Sequence, residues 1–195
     1  GLDNDCDGAV DEDLSCEPCP EGMVLIGRTD APSFCIDAYE ASRPDATDTV
    51  AGTDESEATS RPGVLPWAGT ELDGARAACA AAGKRLCDEL EWPTACGGPN
   101  GFSYPYAQGA GDYQRASCNG ANVAPVGAAA PTGTFAECVS PDGVFDMSGN
   151  LEEWADDGRL HGGSDASTQT KLTCASTATG SSGPMTGFRC CADPR

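Results

Sequence analysis

Asp146, Asn150, Glu152 and Glu153 crowd four hard oxygen donors into the stretch Gly143–Trp154, G-V-F-D-M-S-G-N-L-E-E-W. Gly149 sits among them and lets the backbone turn so that carbonyl oxygens can join. Hard oxygens on a tight turn suit Ca²⁺, which takes six to eight such ligands in flexible geometry. The same residues also fit an acidic surface turn anchored in a core by Phe145, Met147 and Trp154. A second run of oxygen donors opens the chain: Asp3, Asp5 and Asp7 alternate, Gly8 follows, and Asp11, Glu12 and Asp13 close the run. This is the first half of an EF-hand-type loop, with Leu14 where the bidentate glutamate would stand. The candidate ligands are Asp3, Asp5, Asp7, the Ala9 carbonyl, and Asp11 or Glu12, and the other reading is an acidic tail.

Soft and nucleophilic chemistry has less to work with. The chain holds one histidine, His161. Ser164 lies near it, without the G-x-S-x-G elbow a nucleophilic serine needs. The acids are too numerous to nominate a hydrolytic pair. Twelve cysteines, an even number, are spread along the chain without zinc-ribbon spacing. That distribution predicts a disulfide framework in an oxidising compartment. Proximity along the chain favours Cys6–Cys16, Cys19–Cys35, Cys87–Cys96 and Cys118–Cys138. Cys79 and Cys174 are then left for Cys190 and Cys191, whose side chains should point to opposite faces of a strand.

The elements that must position these residues are short. In 195 residues there are 25 Gly and 14 Pro, which imply many turns around one sizeable core. Met23–Ile26 and Phe34–Tyr39 read as an opening hairpin. Residues 44–60 are polar and read as a flexible surface loop. The clearest helix is Thr70–Ala82, with Thr70 as its cap, Asp73 at the capping-box position and Gly83 as its stop. A second helix should start at Asp88, with Glu91 three residues on. Trp67 and Trp92 read as core. Acidic residues outnumber basic ones 31 to 11, for a net charge of −20. That excludes nucleic acid and anionic membrane as partners, since both need basic patches. No apolar run is long enough to span a bilayer, so membrane insertion is not expected. The expected location is secreted: extracellular or at a cell surface.

Ordered blocks carry a resemblance. They are M-V-L-I-G at Met23–Gly27, F-C-I-D-A-Y-E-A-S at Phe34–Ser42, G-K-R-L-C-D-E-L-E-W at Gly83–Trp92, Y-P-Y-A at Tyr104–Ala107 and C-N at Cys118–Asn119. After them come the Gly143–Trp154 stretch, H-G-G-S at His161–Ser164 and G-F-R-C-C at Gly187–Cys191. Together they resemble the formylglycine-generating-enzyme (sulfatase-modifying factor) family. The resemblance implies an α+β, C-type-lectin-like fold over residues 19–195: two helices around small antiparallel sheets, loop-rich and disulfide-stapled. Residues 1–18 resemble the Asp-rich calcium repeats of bacterial surface proteins.

The resemblance also implies a structural Ca²⁺ held by the Asp146 side chain, the Gly149 and Leu151 carbonyls and the Glu153 side chain. A second family calcium site would begin at Asn119 and Gly120, with its aspartate not clearly placed. Family members that oxidise cysteine to formylglycine hold Cu(I) between two thiolates a few residues after the Gly-Gly-Ser block. Here the matching stretch, 165–173, has no cysteine. Iron-dependent relatives use three histidines, and here there is one. Two functions follow as expectations. The first is a non-catalytic, calcium-stabilised recognition or structural domain; the second is a copper-dependent oxidase with displaced cysteines. The recognition surface would comprise Arg159, His161, Asp165, Ser167, Gln169 and Lys171. Its partner would be an extracellular protein, a glycan or other subunits of a surface assembly.

Overall fold

The computed structural model describes residues 18–27, 32–106, 113–123 and 127–195. The elements run β1 (Met23–Ile26), β2 (Phe34–Asp37), β3 (Ala41–Ser42), β4 (Thr59–Ser60), α1 (Leu72–Ala81), β5 (Arg85–Leu86) and α2 (Glu91–Gly97). They continue as β6 (Glu152–Trp154), β7 (Arg159–His161), β8 (Thr177–Thr179), β9 (Thr186–Phe188) and β10 (Cys190–Ala192). The opening hairpin forms as expected: β1 and β2 pair antiparallel, with Val24 opposite Ile36. Strand β10 adds to β2 and carries β5 on its other edge, which gives the order β1-β2-β10-β5. A second sheet has the order β8-β7-β6-β9. Its β6–β9 pair is parallel, a departure from purely antiparallel sheets.

The chain leaves one sheet at Phe188 and enters the other at Cys190. Arg189, fully buried, is the residue between them. Trp92, Ile36 and Met147 fill one apolar cluster, and Trp67, Trp154 and Phe188 fill another. Both tryptophans read as core from the sequence are buried there.

Helix α1 forms where the apolar spacing placed it, with Ala75 and Cys79 buried. Its start differs from expectation. The N-cap position is Glu71, no side chain caps it, and the buried Thr70 hydroxyl has no hydrogen-bond partner. The Thr70 carbonyl instead accepts from the Trp154 indole at 2.8 Å, so tertiary packing overrides the local cap. Gly83 ends the helix at φ +69°, the left-handed conformation a glycine adopts without steric cost. Helix α2 is entered through a reciprocal capping box. Glu91 N–H donates to Asp88 Oδ1 at 2.7 Å, and Asp88 N–H donates to Glu91 Oε2 at 2.9 Å. Pro93 falls in its first turn, where the missing N–H costs little.

Residues 44–60 are ordered by their own turns. The Asp45 carboxylate accepts from the Thr53 and Asp54 N–H groups, which holds its pKa below the usual range.

Five disulfides staple the described residues: Cys19–Cys35, Cys79–Cys190, Cys87–Cys191, Cys96–Cys174 and Cys118–Cys138. Two match chain proximity, and the adjacent Cys190 and Cys191 do diverge, Cys190 to α1 and Cys191 to Cys87. The Cys87–Cys96 pairing is corrected. β10 lies beside β5, with Cys191 opposite Arg85, so Cys87 at the end of that strand meets Cys191. Cys96 on α2 then closes with Cys174, 78 residues away, which also corrects the expected bridge from Cys174 to the Cys190–Cys191 pair. The Cys6–Cys16 pairing lies outside the described residues. Five disulfides point to an oxidising, extracellular environment. Among the described residues, no helix is long and apolar enough to cross a membrane.

Candidate functional site

The turn after Phe145 enters the core. Asp146 and Asn150 both adopt positive φ, 59° and 62°. Such strain in residues other than glycine persists only where surrounding bonds fix it. The bonds are present. Asn150 Oδ1 accepts from Ala130 N–H at 2.8 Å and from the Asn119 side-chain amide at 2.9 Å, and Asn150 N–H donates to Asn119 O at 2.9 Å. Asn150 Nδ2 donates to Glu40, whose other oxygen accepts from Leu151 N–H at 3.0 Å. Gly149 has φ +82°, and a Cβ there would fall 2.1 Å from Asn119 O, so only glycine fits this close approach.

Arg189 is the cation of this region. Its Nε and Nη2 donate to the two oxygens of Glu153 at 2.7 and 2.6 Å, a bidentate pair with both side chains fully buried. Its remaining donors reach Asp37 O at 3.1 Å and Phe145 O at 2.9 Å. Trp92 Nε1–H adds a third bond to Glu153, at 2.6 Å. Glu40 and Asp146 are buried nearby, so three carboxylates share one guanidinium. Burial, together with repulsion from Asp146 and Glu153, holds the Glu40 carboxyl well above its ordinary pKa. Burial pushes Asp146 up to about 6, opposed by the Gly133 N–H that donates to it at 2.6 Å.

The residues expected to hold calcium are thus gathered in one buried turn, and Asn119 and Gly120 pack against it. Donor chemistry constrains what they can hold. Glu153 already accepts three bonds, which leaves one lone pair on Oε1. Among the described residues, no three His, Cys, Asp or Glu side chains form a metal-binding group. A central Ca²⁺ would therefore fit only as a shell of Asp146, main-chain carbonyls and a shared Glu153 oxygen. Asp3, Asp5, Asp7, Ala9, Asp11 and Glu12 lie outside the described residues.

The expected recognition surface is narrower than the sequence reading. His161, Asp165 and Ser167 are buried, while Arg159, Gln169 and Lys171 are exposed. His161 stands on β7 opposite Glu153 and packs against Trp92 with ring centroids 5.0 Å apart and the planes tilted by 33°. Among the described residues neither of its ring nitrogens has a hydrogen-bond partner, so the side chain is buried in the core and not presented on a surface.

Burial lowers the His161 pKa from its ordinary value. A base held neutral in the folded chain takes its proton first in the unfolded chain. Stability from His161 is therefore present above about pH 6.5 and is lost on acidification through the folded value. The His161→Phe variant should lose this dependence. In urea titrations, the difference between parent and variant should be flat above pH 7 and fall by at most about 1.4 kcal/mol per pH unit below it.

Sequence reasoning missed Glu40 and Arg189. The available signal was charge inside two apolar blocks: Asp37 and Glu40 in F-C-I-D-A-Y-E-A-S, and Arg189 in G-F-R-C-C. It also missed an open cleft of about 540 Å³, lined by Arg43, Trp67, Glu71 and the small residues of α1.

The sequence pattern described as Sulfatase-modifying factor enzyme 1-like domain matches residues 28–194. The chain belongs to this family. No curated protein matches it by sequence. Solved structures share the family's C-type-lectin-like fold at low identity. PvdO from Pseudomonas aeruginosa aligns with a TM-score of 0.59 at 17% identity, over 90% of this chain and 95% of that one. Treponema denticola variable protein 1 aligns at 0.64 and 12% identity, over 88% and 95%. The Major Tropism Determinant P3c variant aligns at 0.56 and 19% identity, over 90% of this chain and 53% of that one. At these identities the likeness concerns the fold alone.

Proposed function

We propose that the domain is a non-catalytic, calcium-stabilised recognition or structural module of a secreted or cell-surface protein. The observation that carries this reading is the state of the thiols: all ten cysteines in the described residues are in disulfides. A two-thiolate copper centre has no ligands among them, and the stretch 165–173 after Gly162–Ser164 carries no cysteine. The exposed Arg159, Gln169 and Lys171 offer donors and acceptors on a stapled frame, where loops can be fitted to a partner without chemistry. One fold neighbour is called a tropism determinant. The partner is a polar extracellular protein, a glycan or another subunit of a surface assembly. Calcium, held at the central turn and the N-terminal aspartates, would stabilise the frame and offset the negative charge.

Incubation of the full chain with Cu(I), oxygen and a cysteine-containing sulfatase-type peptide should yield no formylglycine above the no-protein control by mass spectrometry. Turnover abolished by Cys174→Ser would establish the oxidase instead.

A further inference from the structure

The open cleft of about 540 Å³ is lined by Arg43, by residues of segments 55–56 and 67–71, and by one face of α1. Its volume is in the range of small-molecule sites, about 300–1,000 Å³. The Arg43 guanidinium lies 4.6 Å from the Trp67 ring centroid, and its Nη2 donates to Glu55 Oε1 at 2.7 Å. These two contacts fix the plane of the guanidinium fork. Arg43 Nε–H is buried and has no hydrogen-bond partner among the described residues. The hydroxyl of Thr70, another lining residue, is in the same state. Buried polar groups are nearly always paired, so two unpaired ones on the residues of a single cleft point to a partner from outside the chain.

Two carboxylates supply the complementary acceptors. Glu55 spends one oxygen on Arg43, and Glu71 spends one on the Ser182 hydroxyl. Each is thus anchored by one oxygen and keeps the other unspent. The α1 wall is apolar and low, because Gly74, Ala77 and Ala81 are exposed there and carry no long side chain. Arg43 against Glu55 and Glu71 leaves the cleft with an excess of negative charge, in a chain of net charge −20. That disfavours an anion. Glu71 also holds the N-cap position of α1, so the positive end of the helix has its negative partner already. A simple cation, in turn, would lie against the Arg43 guanidinium.

We propose that this cleft binds a neutral polyhydroxylated ligand, a saccharide unit of a glycan. A hydroxyl both donates and accepts. Adjacent hydroxyls therefore accept from Arg43 and donate to Glu55 and Glu71 at the same time, which neither an acceptor-only nor a donor-only ligand does. The C–H face of the sugar ring lies on the bare Gly74, Ala77 and Ala81 surface. Because Trp67, Arg43 and Ser182 already hold the polar groups in place, little side-chain entropy is lost on binding. The site uses neither Ca²⁺ nor any residue of the recognition surface proposed above, so it stands or falls apart from that reading.

The test is an NMR titration of the full chain in EGTA with glucose, galactose, mannose, N-acetylglucosamine, maltose and lactose at millimolar concentrations. Methylammonium and phosphate at equal concentrations are the charged comparisons. At least one sugar should give saturable shifts at the amides of Glu71, Gly74, Ala77 and Ala81 and at the Trp67 indole, larger than either ion gives. Ala77→Leu fills the cleft from an exposed helix position and should weaken binding of that sugar by about tenfold or more. Ala81→Leu is a second blocking variant, should the first fail to fold. No saturable shift at the cleft with any of these sugars would overturn the proposal, as would unchanged binding in the blocking variants. A stronger response to methylammonium or phosphate would overturn it by assigning the cleft to a charged ligand. Sugar-dependent shifts at Arg159, Gln169 and Lys171 with none at the cleft would overturn it while leaving the recognition reading in place.

Discussion

Replacing Arg189 with alanine is expected to destabilise the domain by about 3–5 kcal/mol, enough to unfold a marginal chain. Arg189 is the one residue between β9 and β10, and its side chain bonds to both sheets: Glu153 on β6, and the Asp37 carbonyl at the end of β2. Removing it leaves Glu153 buried with only the Trp92 indole as donor, beside Glu40 and Asp146. The cost is dominated by that stranded charge and not by the attraction lost, because a buried ion pair is a weak net stabiliser when intact. Arg189→Ala combined with Glu153→Gln should therefore recover part of the loss. Arg189→Lys, which keeps the charge but not the fork, should fall between parent and alanine. Urea unfolding at constant slope measures all three. A loss under 1 kcal/mol in Arg189→Ala would mean that the carboxylates are compensated by something other than the guanidinium.

Deleting disulfides should cost stability in the order of the loops they close. Cys79–Cys190 spans 111 residues and ties α1 to β10. In the chain-entropy treatment its loss, as the double Cys→Ala variant, costs about 5 kcal/mol, and loss of the 16-residue Cys19–Cys35 loop about 3 kcal/mol. The larger figure rivals the whole stability of a typical domain, so the Cys79/Cys190 variant should be unfolded at 37 °C by circular dichroism while Cys19/Cys35 remains folded. The reverse order would mean that strain or residual structure in the unfolded chain, and not loop entropy, governs these bridges.

The parts of the fold legible in the sequence were those fixed by local rules. The β1–β2 hairpin, the stop of α1 at Gly83, the Asp88–Glu91 capping box and the Cys118–Cys138 bridge each depend on residues close along the chain. What eluded local reading depends on which distant segments become neighbours. Thr70 reads as a cap, yet its carbonyl is claimed by Trp154. Cys87 and Cys96 read as partners, yet β10 inserts beside β5 and takes Cys87. Asp165 and His161 read as surface polar residues, yet packing against Asn150 and Trp92 buries them. The site followed the same division: the acidic turn at 146–153 was visible as a motif, whereas Glu40 and Arg189 reach it from 110 residues before Asn150 and 36 residues after Glu153.

We propose that the family frame serves here as a stapled scaffold, with its cysteines spent on structure. A thiol titration of the chain, unfolded in guanidinium without reductant, decides whether this is so. The expected result is no reactive thiol per chain, with all twelve cysteines appearing only after reduction. Two free thiols per chain, in protein never exposed to reductant, would contradict it and supply the pair that a copper-dependent oxidase requires.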